Sequence, residues 1–380
     1  MKTAAVGRIV VAPRRQTGLK SLASELGVSI TTVSRALAGY DDVSAETRAR
    51  VKAAAIEQGY VPSRAGRMLV SGRTDFIGMV LPMRGGHLID AFLGEFVAGL
   101  SGGLAEVGRD LFLATATGEQ TELEVLRHIV DGDRADAIVL NRTEYEDARV
   151  DFLARRRFPF VAHGRVLAGA EPRVWFDTDG EAAFGQAAER LVALGHRRFG
   201  LVTIAEPLTF AHLRRRGLER ALAMAGLRLT PEVVVAASMS DRDSALSAAR
   251  RLLTMDGRPT AILGITDAQA LAVLEVAANL SISVPEDLSV IGFDDVPVAA
   301  YASPGLSTFD QHARESANIV AGMTIELLER GPDRVQSRLI RPQFMARGSH
   351  GPAPAEKIGR HRRPPRKTTE TDAKTKGRKK

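Results

Sequence analysis

Residues 19–38 read LKSLASELGVSITTVSRALA, and their spacing is that of two short helices joined by a tight turn. Leu19, Leu22, Ala23 and Leu26 fall on one helical face. Gly27 follows, where such a turn needs a positive φ. Val28 and Ser29 lead into a second helix, with Val33 and Leu37 facing inward. Ala23 lets the helices cross closely, Gly27 turns the chain, and Val33 locks the second helix onto the first. The outer face of that helix carries Ile30, Thr31, Ser34 and Arg35. Such side chains suit a major groove: hydroxyls for phosphates, arginine for a guanine edge, an apolar group for a thymine methyl. A two-helix hairpin inside an all-α domain would use the same trio, so the motif alone leaves both readings open.

A third helix follows. Ser44 is placed to cap it, Glu46 lies in its first turn, and Val51, Ala54 and Ala55 face inward. Gly59 ends it and Pro62 prevents a restart. A head of about 45 residues is marginally stable alone, so it depends on the body, a second copy or DNA. Charge supports a polyanion partner. Residues 1–73 hold 12 Lys/Arg against 5 Asp/Glu, and residues 356–380 hold 11 against 3. The chain's net charge is +7, so the stretch 74–355 carries the balance of −8. A basic head on an acidic body suits nucleic acid, and a solvated, repulsive surface would carry the same charge, so the motif decides between them.

Four blocks in order now resemble the lactose-repressor (LacI) family of bacterial transcription factors. They are Leu26-Gly27-Val28-Ser29, Thr32 to Leu37, Val43 to Arg48, and Gly59-Tyr60-Val61-Pro62. The resemblance runs from residue 17 to about 347 and leaves out the first 16 residues and the basic tail. It implies a DNA-reading set of Leu19, Ser29, Ile30, Thr31, Thr32, Ser34, Arg35 and Ser44. It also implies a hinge over 63–73 that folds on operator DNA, where Leu69 matches a leucine that wedges into the minor groove. Gly66 and Ser63 stand where the family more often has alanine and asparagine, which makes hinge folding less favourable here.

Beyond Arg73, short apolar runs alternate with amphipathic stretches. Phe76–Leu81, Leu111–Ala114, Ala137–Leu140, Phe158–Ala162, Phe199–Thr203, Thr260–Leu263 and Leu288–Ile291 read as buried parallel strands. Stretches 181–194 and 213–226 read as helices. The fold class is therefore α/β with doubly wound parallel sheets in two lobes, preceded by a small all-α head. The resemblance sharpens the body to a periplasmic-binding-protein-like core over 74–348, with the chain crossing between lobes near 164–173, 307–311 and 335–340. Residues 1–16 are expected to be a loose basic arm, 17–62 the helix-turn-helix domain and 349–380 a disordered basic tail.

Ligands of open parallel sheets sit beyond the carboxyl ends of strands. The residues that stand out there are Asn141, Arg142 and Glu144, then His163 and Arg165, then Phe176 and Asp177 opening the second lobe, then Asp267 and Asp294. Carboxylates, amides, arginines and an aromatic face together suit a sugar. The resemblance adds Arg214, three residues before Gly217, and Gln311, and repeats Asp294 as an effector contact. Asp177 could instead cap the helix that starts near Gly180. His196 and Asp295 read as structural. Leu140 to Glu144 and Pro159 to Arg165 resemble the family's alpha-glucoside-regulator branch, which nominates a neutral sugar such as a glucoside or disaccharide.

Other functions find little support. The sequence has no cysteine, so thiolate chemistry and disulfides are ruled out. There is no Walker loop, metal-spaced histidine cluster or nucleophile elbow, so no cofactor or metal is implied. Glu144 and Glu146 are a carboxylate pair, but nothing fixes them across a scissile bond. No apolar run of ~18 residues and no secretory signal are present, which argues against a membrane or transport protein and makes the cytoplasm the expected compartment. The tail has no leucine heptad, which favours a homodimer. Its cations allow either added non-specific DNA affinity or a neutral appendage.

Overall fold

The computed structural model describes residues 18–60, 72–82, 90–117 and 119–355. In the head, α1 (Leu19–Leu26) stops at Gly27, whose φ is 64°. Helix α2 (Ile30–Ala38) begins at Ser29, whose hydroxyl accepts the Thr32 N–H at 3.0 Å. Helix α3 (Ala45–Glu57) begins in the same way at Ser44, which accepts the Thr47 N–H. Leu22, Ala23, Val33, Ala36, Val43, Val51, Ala54 and Ala55 form the head's buried core. The expected arm, Pro62, Leu69 and nearly all of the hinge lie outside the described residues.

The first lobe begins with β1 (Phe76–Pro82), α4 (Ala91–Ala105), β2 (Asp110–Ala116), α5 (Glu122–Asp131) and β3 (Ala137–Asn141). It continues through α6 (Ala148–Arg156), β4 (Phe160–His163) and β5 (Trp175–Thr178). The second lobe runs α7 (Gly180–Ala193), β6 (Phe199–Ile204), α8 (Thr209–Met224), β7 (Val234–Ala237), α9 (Arg242–Thr254), β8 (Ala261–Gly264), α10 (Asp267–Asn279), β9 (Ser289–Ile291), α11 (Pro297–Tyr301) and β10 (Thr308–Asp310). The chain then returns α12 (Ala313–Arg330) and β11 (Arg338–Ile340) to the first lobe, and β12 (Gln343–Met345) pairs antiparallel with β10.

The sheets have the orders β11-β5-β4-β3-β1-β2 and β7-β6-β8-β9. Every pairing in both is parallel, as the buried apolar runs predict. Helices cover both faces of each sheet, so each lobe has two apolar layers. Gly217 allows α8 to cross the start of α7, because a Cβ there would run into the Glu181 carbonyl.

Three expectations are corrected. The first crossing between lobes is not at 164–173, which is a loop inside lobe one, but at 178–180. Phe176 and Asp177 therefore close the first lobe rather than open the second, since β5 pairs with β4 and β11. The body also does not end at 348. Ser349 is fully buried, its carbonyl accepts the Val290 N–H at 2.7 Å, and the Ala353 N–H donates to the Leu194 carbonyl at 2.8 Å. His196, read as structural, helps hold this segment: its ring lies 3.0 Å from both Thr260 Oγ1 and the Gly351 carbonyl. Residues 356–380 lie outside the described residues.

Candidate functional site

Two sites follow from this architecture. On the head, Ile30, Thr31 and Arg35 are exposed on one side of α2, and Thr32 and Ser34 are half-buried. Ser29 and Ser44 spend their hydroxyls on helix caps, so any phosphate contact they make is added to a local duty. Leu19 packs against the head's core, which suits its place on the apolar face of α1.

The second site is a cavity of about 240 Å³ between the lobes, at the carboxyl ends of both sheets. Strand β3 delivers Asn141, and the turn after it delivers Arg142 and Thr143. Buried Arg149 shapes that turn: its Nη2 donates to the Arg142 carbonyl at 3.0 Å and to Asp147 at 2.7 Å. Strand β4 delivers His163, which lies in register with Asn141 on β3. The Asn141 amide donates to His163 Nδ1 at 3.2 Å, which leaves the proton of the neutral ring on Nε2. Phe96, Phe176 and Phe92 surround the imidazole, with ring centroids 4.5, 5.9 and 6.0 Å away. Burial and the charge of Arg214 push its pKa down to about 4.

Lobe two supplies Arg214 from α8. Its Nη1 donates to the Ile265 carbonyl at 2.6 Å, and its guanidinium carbon lies 3.6 Å from the Phe293 ring centroid and 4.5 Å from that of Phe210. Burial lowers this guanidinium to about 10, against the pull of Asp294 in its own lobe and Asp177 in the other. Burial likewise raises Asp294 well above the usual carboxylate range, against the pull of Arg214. Gln311 donates to Asp294 at 2.7 Å. Across the cleft, Arg165 donates to Asp177 at 2.8 Å, and Arg142 pairs with Asp90. Each arginine in the wall thus faces an aspartate.

The lobes also touch through backbone. The Thr209 N–H donates to the Thr143 carbonyl at 2.9 Å, and the Tyr145 N–H donates to the Pro207 carbonyl at 3.0 Å. Glu144 lies in this bridge, opposite Leu208, rather than in the cavity wall.

Asn141, Arg142, His163, Arg165, Asp177, Arg214, Asp294 and Gln311 all line the cavity, as the sequence predicts. Phe176 and Asp267 do not, and these two assignments are corrected. Phe176 is fully buried in the lobe-one core and backs His163 from behind. Asp267 is fully buried below the wall, where it accepts from the Thr308 hydroxyl at 2.5 Å and the Val296 N–H at 2.9 Å. The cap of α7 is Asp179, not Asp177. Sequence reasoning missed Asp90, Phe92, Thr178, Thr209, Phe210 and Met239. Phe210 was findable, because it lies one helical turn before Arg214 and so shares its face.

The most telling feature is what the cavity leaves unmade. Six buried side-chain polar atoms have no hydrogen-bond partner among the described residues, and five belong to residues that line this cavity. They are Asn141 Oδ1, His163 Nε2, Thr178 Oγ1, Thr209 Oγ1 and Arg214 Nε. Native interiors leave few such groups, so their convergence marks a place for a polar ligand.

A helix-turn-helix head joined to a two-lobe body with a ligand cavity defines a ligand-responsive transcriptional regulator. The comparisons place the chain within one family of these. Residues 18–63 match the family described as bacterial regulatory proteins, lacI family, and residues 188–350 match a periplasmic binding protein-like domain. The chain is 36% identical to the HTH-type transcriptional regulator AglR of Rhizobium meliloti (strain 1021), over 88% of its own length and 95% of that protein. It is similar to the structure of a transcriptional regulator CelR-cellobiose complex, at 29% identity and a TM-score of 0.67, covering 87% of this chain and 99% of that one. The lac repressor dimer bound to operator shares the fold at 22% identity, with a TM-score of 0.76 over 89% of this chain and 100% of that one. The chain belongs to the lacI family of DNA-binding regulators. No helix among the described residues is long and apolar enough to cross a membrane.

Proposed function

We propose that the protein is a cytoplasmic homodimeric repressor of sugar-utilisation genes, released from a near-palindromic operator by a neutral sugar in the interlobe cavity. The observation that carries this reading is the set of unpartnered donors and acceptors in the cavity wall. Hydroxyl groups both donate and accept, so a polyol satisfies such a mixed set better than a purely donating or accepting ligand. Each arginine of the wall already faces an aspartate, which favours a ligand without net charge. Phe92 and Phe210 supply apolar faces for a sugar ring.

The mechanism follows from where the contacts sit. Asn141, His163 and Thr178 belong to lobe one, and Thr209 and Arg214 to lobe two. A ligand that bonds both sets favours one lobe arrangement over the other. That preference moves the start of the body, where the two heads of a dimer are held, and lowers operator affinity. By linkage, operator DNA weakens sugar binding by the same factor.

Calorimetric titration of the full chain tests the ligand class. Cellobiose, maltose and related neutral glucosides are compared with a uronic acid and an amino sugar of the same size. Saturable binding of a neutral member alone supports the reading. Selective binding of a charged member refutes it.

A further inference from the structure

Arg35 is the one cation on the outer face of α2, and it is not left to wander. Its Nη2 pairs with Asp42 Oδ2 at 2.7 Å, and its guanidinium carbon lies 5.1 Å from the centroid of the Tyr40 ring. Both partners belong to the turn between α2 and α3. That turn is itself fixed. Gly39 ends α2 with a φ of 82°, the Tyr40 N–H donates to the Arg35 carbonyl at 3.1 Å, and Arg48 of α3 donates to the carbonyls of Tyr40 and Val43 at 2.8 and 3.2 Å.

The pair makes little sense as a stabiliser. Its side chains are 46% and 51% exposed, and ion pairs that open to water add little to a fold. As a DNA-facing charge it looks counterproductive, since an acid beside the reading helix repels phosphate. Its chemistry makes sense if the object held is the guanidinium. Arginine has five N–H donors. Asp42 engages Nη2, and whichever hydrogen it takes, one edge with two parallel donors stays free. Two parallel donors are what the O6 and N7 acceptors of guanine require. An unheld arginine would swing to the nearest phosphate, which carries no sequence information. A held one must give up a charge-assisted bond to do so.

We propose that Asp42 is a positioning residue for base readout: it holds Arg35 with one two-donor edge presented, so that the head selects a guanine over a bare phosphate. Tyr40 restricts the guanidinium from its face. Asp42 thereby exchanges some general DNA affinity for selectivity at one base position in each half-site.

The test uses the full-length protein and a pool of duplexes carrying a two-fold-symmetric site with both half-sites randomised. Wild type, Arg35→Ala, Asp42→Ala, Asp42→Asn and the Arg35→Ala/Asp42→Ala double variant each select from the pool. Wild type is expected to enrich one guanine per half-site that Arg35→Ala no longer enriches. Asp42→Ala should still bind, with its preference for that guanine reduced about 10-fold. Its binding to unselected DNA should tighten, and its slope of log affinity against log salt should steepen by about one per head. Asp42→Asn keeps an acceptor without the charge and should fall between. The double variant should match Arg35→Ala. A purely structural role would instead weaken binding to all sequences equally and lower the melting temperature. That result overturns the proposal, as does an unchanged guanine preference in Asp42→Ala, or a wild-type pool with no guanine that depends on Arg35.

Discussion

Asn141 and His163 meet side by side at the carboxyl ends of neighbouring strands, 3.2 Å apart, and each keeps one buried polar atom without a partner. Their bond fixes the imidazole tautomer and turns the pair into one donor and one acceptor facing a ligand. His163→Leu removes the Nε2 donor, so the ligand acceptor it would satisfy is buried unpaired in the complex. Leaving such a group unpaired costs about 1–3 kcal/mol, so sugar affinity should fall roughly 5- to 150-fold. Titration calorimetry with the sugar that binds wild type reads this directly. Equal affinity in the variant would remove His163 from the ligand's contacts.

His163 also makes a pH prediction. Its folded pKa is about 4, below the unfolded value near 6.5. Between these values the unfolded chain binds the proton more readily, so this group's contribution lowers stability as pH falls through that window. Its effect is absent above about pH 6.5 and complete below about pH 4. Relative to His163→Leu, wild type should lose on the order of 3 kcal/mol across the window. Denaturant titrations of both proteins at pH 7 and pH 4.5 test the sign. The imidazole carbon-bound proton signals of His163 should stay unshifted down to about pH 5.

Arg214 joins the two lobes electrically, because its charge faces Asp294 in lobe two and Asp177 in lobe one. It also anchors the loop after β8 through the Ile265 carbonyl. Arg214→Ala leaves the buried Asp294 without its cation, a change that typically costs about 3–5 kcal/mol, while Asp177 keeps Arg165. The head lies elsewhere in the chain, so operator binding should survive while the sugar no longer weakens it. Anisotropy of labelled operator DNA, titrated with protein and then with sugar, separates the two effects. Loss of both together would show that Arg214 acts on overall folding alone.

Much of this was legible in the sequence, for local reasons. The Ala23, Gly27 and Val33 trio, the Ser44 cap and the short apolar runs are short-range signals, and each sits where it was expected. Strand β5 was harder. Trp175-Phe176-Asp177-Thr178 mixes polar and apolar residues, and its lobe is decided by distant pairing with β4 and β11. No local pattern encodes that choice, so the first crossing was misplaced. The side chains at strand ends failed for a related reason. Successive residues point to opposite faces, so Phe176 enters the core while Asp177 reaches the cavity. Asp267 was misread because its neighbour Thr266 takes the wall position and the carboxylate turns inward to Thr308.

Two glycines in helices should respond oppositely to the same change. At Gly217 a Cβ would meet the Glu181 backbone, so Gly217→Ala must push α8 off α7. Overpacking of this kind costs about 1–3 kcal/mol or more. At Gly102, inside α4, a Cβ meets nothing within 4 Å and the φ is not positive. Gly102→Ala should therefore stabilise by about 0.4–1 kcal/mol. Thermal unfolding of both variants checks the pair, and matching shifts would contradict the packing described here.

The most direct test of the regulator itself is operator binding. The full-length protein is titrated onto DNA from upstream of its own gene, with and without each sugar of the neutral panel. Specific binding that one neutral sugar weakens is expected, with Arg214→Ala bound but unresponsive. Binding that a sugar tightens would contradict release, and no specific binding even at low salt would contradict the regulator reading altogether.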